Sequence, residues 1–278
     1  MIYEKLKNIS LSFLYSKAIE IKNNDPKFIA LSMAGALLFE LYGRKWMSKR
    51  LLNKDNMPFI LNQSIDSSSQ LNFQMKILML GESLYNLRNI EGIQNILRKL
   101  ENENIESVIA ELESGRLLYH RGVFFKYVSS SQIKRNDFDI YILDGSNKIF
   151  CETKCKLNTT IFSENSFHNS LHKAKQQLPK DYPAIILIKI PDTWGKYEYK
   201  LRNVAKDLVL KTERPIGIIC WYEIWQKIDN IFTLNLTTGF EEHNVKSQII
   251  NANLLPFLPA KPNSMHWVRF ERYASGYI

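Results

Sequence analysis

The chain has 278 residues, of which 45% are hydrophobic and only 11 are glycine and 9 proline, and its formal net charge is +9. This composition predicts a compact globular protein of one or two domains rather than a disordered chain, and the positive charge favours a polyanionic partner. Three cysteines are too few for a disulfide framework, and the longest apolar run, residues 28–39, is too short to span a bilayer, so we expect a cytoplasmic protein with no membrane association.

The first hundred residues predict helices. Asp25 and Pro26 form an N-cap and first-turn pair, apolar residues then recur at helical spacing, and Gly43 stands where a helix-ending glycine belongs. The Ser- and Asn-rich residues 62–71 predict a loop, and two further helices follow it up to residue 102.

We therefore predict two domains. Residues 1–103 are an N-terminal helical region, which suits a homodimer contact or a protein partner, and residues 104–278 are the domain that carries the chemistry.

From residue 105 the pattern alternates between helix and strand. The helical spacing of apolar residues predicts helices at 105–120, around 167–178 and at 196–211. Short apolar or alternating runs predict strands at 123–128, 137–143, 148–155, 184–190, 216–222 and 232–236. This order predicts an α/β protein with a mixed sheet flanked by helices.

The hairpin of the second and third strands carries the most informative residues. Asp144–Asn147 has the composition of a tight hairpin turn, so these two strands should pair side by side. Because side chains alternate along a strand, Asp137 and Asp139 share one face of the second strand, and Glu152 and Lys154 share one face of the third. Clustered carboxylates favour a hard metal ion, and a lysine beside them suits hydrolysis of a phosphodiester.

The triplet of an acid, any residue and a lysine is weak evidence alone, since it occurs four times in the chain. Only Glu152-Thr153-Lys154 lies in a predicted strand whose partner carries aspartates. The alternative is an exposed edge hairpin with ordinary cross-strand ion pairs. Cys151 and Cys155 should point to the opposite face and serve packing.

These residues and the surrounding element order resemble the PD-(D/E)XK nuclease superfamily, which has the restriction-endonuclease-like fold. The resemblance implies a core of helix, three strands, helix and strand over residues 105–190. It places the strand acid at Asp139, which directly precedes the apolar residues Ile140 and Ile142, or at Asp137 if the register shifts. The family's proline before this acid is missing, and Asn136 stands next to Asp137 instead, so the choice between the two stays open. It places the acid-x-Lys motif at Glu152 and Lys154.

The resemblance also implies further site residues. A glutamate on the first helix would be Glu111, with Glu106 as the second choice. A glutamine on the helix after the third strand would be Gln176 or Gln177. The carbonyl of Thr153 would join the carboxylates as a ligand of Mg²⁺, for which Mn²⁺ can substitute.

Two other features of the sequence each allow two interpretations. His168 and His172 lie four apart on a predicted helix, as a metal pair or as surface histidines. Lys189 interrupts an apolar strand and either points into the cleft or forms an ion pair.

The sequence thus predicts a Mg²⁺-dependent nuclease that hydrolyses phosphodiester bonds of nucleic acid, with DNA as the expected substrate. Family analogy suggests a role in defence or restriction. The alternative is a non-catalytic module of the same fold that binds nucleic acid or protein.

Overall fold

The computed structural model describes residues 2–51, 67–131, 133, 136–144, 147–157, 159–213, 216–228, 231–244 and 267–277. In chain order its α-helices are α1 Ile2–Asn8, α2 Leu11–Ile19, α3 Pro26–Trp46, α4 Ser67–Asn86, α5 Ile93–Asn102, α6 Ile105–His120, α7 Glu164–Gln177, α8 Glu198–Leu210 and α9 Phe270–Ala274. Its strands are β1 Phe125–Tyr127, β2 Ile140–Asp144, β3 Asn147–Cys155, β4 Ala184–Lys189, β5 Ile216–Ile228 and β6 Ile231–His243.

The chain divides into two compact units, and the division differs from the sequence-based boundary. Residues 1–112 and 266–278 form the first unit, and residues 113–265 form the second. The prediction had placed the boundary after residue 103 and the C-terminal segment in the second domain. The division falls inside α6, between Leu112 and Glu113.

The first unit is helical, as predicted for the N-terminal region. Asp25 caps α3 by accepting a hydrogen bond from the backbone N–H of Lys27 at 3.0 Å, with Pro26 as the first helical residue. Gly43 adopts a positive φ of 76° and kinks α3 where we expected the helix to end, but helical residues resume beyond it up to Trp46. The loop predicted at 62–71 is wrong from Ser67 onward, where α4 begins, and residues 62–66 lie outside the described residues.

The described part of the C-terminal segment, residues 267–277, contains the short helix α9. The backbone N–H of Phe270 donates to Glu82 Oε1 at 2.8 Å, and Asn86 exchanges two hydrogen bonds with the backbone of Val268. Glu82 thereby satisfies a backbone donor at the start of α9. The aromatic side chain of Phe270 is fully buried in this unit. His266, at the start of this segment, lies outside the described residues.

The second unit is built on one mixed sheet, which confirms the predicted α/β class. Its strands lie in the order β1-β2-β3-β4-β5-β6. The pairs β3–β4 and β4–β5 are parallel, and the other three neighbouring pairs are antiparallel. Helices α7 and α8 provide the crossovers between the parallel strands.

The two faces of this sheet are covered by different helices. Even-numbered residues of the central strands, such as Ile186 and Ile218, pack into a core with Phe167 of α7 and Leu201 of α8. We call this side the α7 face. Odd-numbered residues point to the side that the C-terminal half of α6 covers, which we call the α6 face.

Gly115 explains why α6 approaches the sheet so closely. A Cβ added at this glycine would lie 1.9 Å from the hydroxyl of Tyr127 on β1. Gly115 therefore permits the close packing of α6 on the sheet.

Candidate active site

Asp139 stands where β2 begins, and its side chain extends the pairing of the hairpin. Its backbone N–H donates to the carbonyl of Cys151 at 3.0 Å, and its carbonyl accepts from Val128 at 2.8 Å. Its Oδ2 accepts from the backbone N–H of Thr153 at 2.9 Å. The carboxylate thus satisfies a β3 donor next to the start of β2, which fixes the carboxylate against the edge of the next strand.

Glu152 and Lys154 lie on the α7 face of β3 and contact each other. Lys154 Nζ donates to Glu152 Oε1, and the carboxylate of Glu152 is almost completely buried, with 2% of its side chain exposed. The Lys154 side chain remains 24% exposed. A buried carboxylate needs hydrogen bonds and a counter-charge, and Lys154 supplies both.

The strand register also places Asp139 beside Glu152. Ile140 pairs with Cys151, so the residues just before and after them, Asp139 and Glu152, lie side by side across the hairpin. The structure therefore brings together Asp139, Glu152 and Lys154 on one face, as the alternation of side chains predicted.

Gln177, at the end of α7, completes this group. Its Oε1 accepts from Lys154 Nζ at 2.5 Å, its Nε2 donates to the carbonyl of Asp137 at 3.2 Å, and its own carbonyl accepts from the backbone N–H of Asp137. Gln177 thus holds the lysine and ties it to the segment that precedes Asp139. Gln176, the other glutamine named from the sequence, is exposed.

Asp137, the second choice for the strand acid, has a different environment. Its Oδ1 accepts from the hydroxyl of Ser130 at 2.8 Å and from the backbone N–H of Ser131 at 3.0 Å. These bonds order the loop before the strand. Asp139, rather than Asp137, is the acid next to Glu152.

The two glutamates expected from the first helix belong to the first unit. Glu111 Oε2 accepts from Lys99 Nζ at 2.7 Å, and both side chains are nearly buried. Glu106 is also buried. A role for Glu111 or Glu106 in holding a metal ion stays a prediction.

A second charged group lies on the α6 face, and only Lys189 among its members was named from the sequence. Lys189 Nζ donates to Glu113 Oε2 and to Glu223 Oε1, both at 2.7 Å, and all three side chains are buried. Of the two readings left open for Lys189, the ion pair is the one observed. The signal that could have found it is the interruption of two apolar strands by Lys189 and Glu223, one charge of each sign.

The charges in this group shift each other's pKa. Burial raises the pKa of Glu113, and the Lys189 ammonium offsets only part of that shift. Burial alone lowers the pKa of Lys189, but the two carboxylates outweigh it and hold that pKa above its usual value. Lys189 therefore stays charged, and the group serves as a buried network that joins α6, β4 and β5.

Cys151 lies on the opposite face from Glu152, as predicted. Burial raises the pKa of its thiol, and the negative charges of Asp139 and Glu152 raise it further. A thiol held protonated in this way is a packing group rather than a nucleophile or metal ligand.

The histidine pair is remote from this site. The rings of His168 and His172 lie 4.2 Å apart, centroid to centroid, on exposed turns of α7. Nine residues separate His168 from Gln177, which places the two on opposite sides of the helix. Burial, the neighbouring His168 and nearby lysines lower the pKa of His172. The surface reading fits this geometry.

A metal ion at this site would have two carboxylates, Asp139 and Glu152, as protein ligands. Among the residues that the structure describes, no cluster of three or more His, Cys, Asp or Glu side chains could hold a metal. Mg²⁺ is usually held by only one or two carboxylates, with waters and substrate phosphates as the other ligands. Asp139 and Glu152 supply that number.

No protein-family model matches the chain, and comparison with curated proteins and with solved structures gives no significant match. Within the described part of the chain, every helix is too short or too polar to cross a membrane.

Proposed function

We propose that the chain is a divalent-metal-dependent nuclease with the restriction-endonuclease-like fold. The observation that carries the proposal is the meeting of Asp139, Glu152 and Lys154 on one face of the β2–β3 hairpin. The element order α6-β1-β2-β3-α7-β4 supports it, since it follows the order that the resemblance implies.

Each residue has a distinct part in the proposed reaction. Asp139 and Glu152, with the carbonyl of Thr153, would hold Mg²⁺. The bound ion supplies Lewis acidity, which polarises the phosphate and lowers the pKa of a bound water. Lys154 orients the attacking water and stabilises negative charge on the phosphate oxygens. Gln177 is a positioning residue, because it contacts Lys154 and not the reacting atoms.

A cleavage panel tests the proposal. Wild-type protein is incubated with single- and double-stranded DNA and RNA in Mg²⁺, in Mn²⁺ and in EDTA, and Glu152→Gln and Lys154→Met are assayed beside it. We expect metal-dependent cleavage that falls at least about 100-fold in both variants. Glu113→Gln is the matched control, because it also removes a buried carboxylate paired with a lysine, but on the α6 face. Cleavage in EDTA, or equal loss in all three variants, would contradict the proposal.

The second candidate is a non-catalytic module that binds nucleic acid through the same face. The near-complete burial of Glu152 and its ion pair with Lys154 favour it, since such a pair can be purely structural. The panel separates the two. Tight binding that is indifferent to Mg²⁺, with no turnover on any substrate, supports the module.

A further inference from the structure

A row of polar side chains on α7 continues from the candidate active site. Ser166, Ser170, Lys173 and Gln177 follow each other at helical spacing and so share one side of the helix. Gln177 contacts Lys154, as described above. At the other end, Ser166 Oγ accepts from Lys156 Nζ at 2.8 Å. This side of α7 therefore faces the C-terminal end of β3, where Lys154 and Lys156 lie.

Lys156 contacts Ser166 on α7, and Lys173 lies seven positions further along the same side of the helix. Burial lowers the pKa of Lys156, and the positive charge of Lys173 lowers it further. Among the described residues, no carboxylate forms an ion pair with either lysine. Two positive charges along one side of a helix favour a bound anion, since an anion would offset their repulsion.

The length of the row decides what kind of anion fits it. Ser166 and Gln177 are eleven residues apart, which is about 16 Å along the helix axis. A single phosphate cannot contact the lysines at both ends. A strand of nucleic acid with a rise of 3.4 Å per nucleotide covers that length with about five nucleotides.

We propose that the nucleic-acid strand next to the cleaved bond runs along α7, with its phosphates bound by Lys173 and Lys156. The inference rests on the proposed function, because it takes Lys154 as the position of the reacting phosphate. The inference goes beyond the proposed function because it requires a polynucleotide substrate of several nucleotides. It also gives the path of that substrate across the protein.

Binding without metal tests the path separately from cleavage. The anisotropy of labelled DNA oligonucleotides of two and ten nucleotides is measured in EDTA over a range of salt concentrations. For the double variant Lys156→Gln/Lys173→Gln, we expect about tenfold weaker binding of the ten-nucleotide probe at low salt. The slope of log affinity against log salt should fall by about 1.4, the value for two lost contacts to a single strand.

Two further double variants serve as controls. Lys148→Gln/Lys180→Gln removes two exposed lysines, one at the start of β3 and one just after α7, and should bind as wild type does. Lys156→Arg/Lys173→Arg keeps both charges and should retain affinity and slope. If the arginine variant binds normally, unfolding does not explain the weaker binding of the glutamine variant. Thermal unfolding of each protein checks directly that it is folded.

Several results would overturn the path. These are wild-type affinity of the glutamine variant, equal loss in the Lys148/Lys180 control, or equal affinity for the two probe lengths. Competition by polyglutamate as effective as that by DNA of the same charge would also overturn it, because charge alone would then explain binding. If the ten-nucleotide probe binds through these lysines but the wild-type protein never cleaves it with Mg²⁺, the proposed nuclease activity is refuted. The proposed binding path along α7 is then still supported.

Discussion

Replacing Lys189 by methionine tests the electrostatic account of the sheet most directly. The ammonium of Lys189 contacts the carboxylates of Glu113 and Glu223, and its side chain is only 3% exposed. Methionine keeps most of the volume but leaves two buried carboxylates without their counter-charge. Breaking a buried ion pair by removing one partner costs about 3–5 kcal/mol.

The cost should depend on pH in a defined direction. Burial raises the pKa of Glu113, and Lys189 is the main group that lowers it again. Without the lysine, the folded-state pKa of Glu113 rises further above its unfolded value. An acid of this kind favours the folded state at low pH, and its contribution is lost as pH rises through the raised pKa. The difference between wild type and variant should therefore grow from about pH 5 to about pH 8.

Urea denaturation and thermal unfolding measure both effects. The second unit has about 150 residues, so a loss of about 3–5 kcal/mol lowers Tm by roughly 6–20 °C. Lys200→Met is the control, because Lys200 forms an exposed ion pair with Glu164 and should change stability by less than about 1 kcal/mol. A Lys189→Met variant that loses less than about 1 kcal/mol, or loses the same amount at both pH values, would refute the reasoning.

Three further predictions concern other contacts. Gly115→Ala should destabilise the protein by about 1–3 kcal/mol because its methyl group meets the Tyr127 hydroxyl, and Tyr127→Phe in the same chain should recover part of the loss in urea denaturation. Gln177→Leu should lower kcat of the proposed cleavage by about 10–100-fold with little change in KM, since Lys154 loses the acceptor that orients it; an effect on KM alone would count against this role. Asp25→Ala should cost about 1 kcal/mol of stability and some helical circular dichroism, whereas Asp25→Asn should not.

The hairpin could be predicted from the sequence because its signals are local. Alternation of side chains fixed which residues of β3 share a face, and the turn after Asp144 fixed that β2 is its neighbour. Those two facts placed Asp137 or Asp139 beside Glu152, and the observed register selects Asp139. The apolar strand at 184–189 was also predictable, because a continuous apolar run of this length is typical of a buried parallel strand.

Long-range contacts could not be predicted in the same way. Asn86 and Val268 are 182 residues apart in the chain, and no local pattern marks Asn86 as the partner of the C-terminal segment. The serines at the start of α4 were assigned to a loop because serine is common in loops, although it is also common at helix starts. Local propensity does not separate these cases, since packing of the following residues decides the outcome.

The sheet carries a lysine–carboxylate group on each face, and the two groups differ in their exposure to solvent. This difference indicates which group serves the fold and which one suits the proposed chemistry. On the α6 face Lys189 is saturated by two carboxylates and shielded from solvent. On the α7 face Lys154 has one carboxylate and one neutral amide as partners, and about a quarter of its side chain is exposed. An anionic substrate can reach Lys154 but would have to displace buried carboxylates to reach Lys189. The same pair of residue types therefore stabilises the fold on one face, and on the other it leaves a partly exposed lysine for the proposed phosphate chemistry.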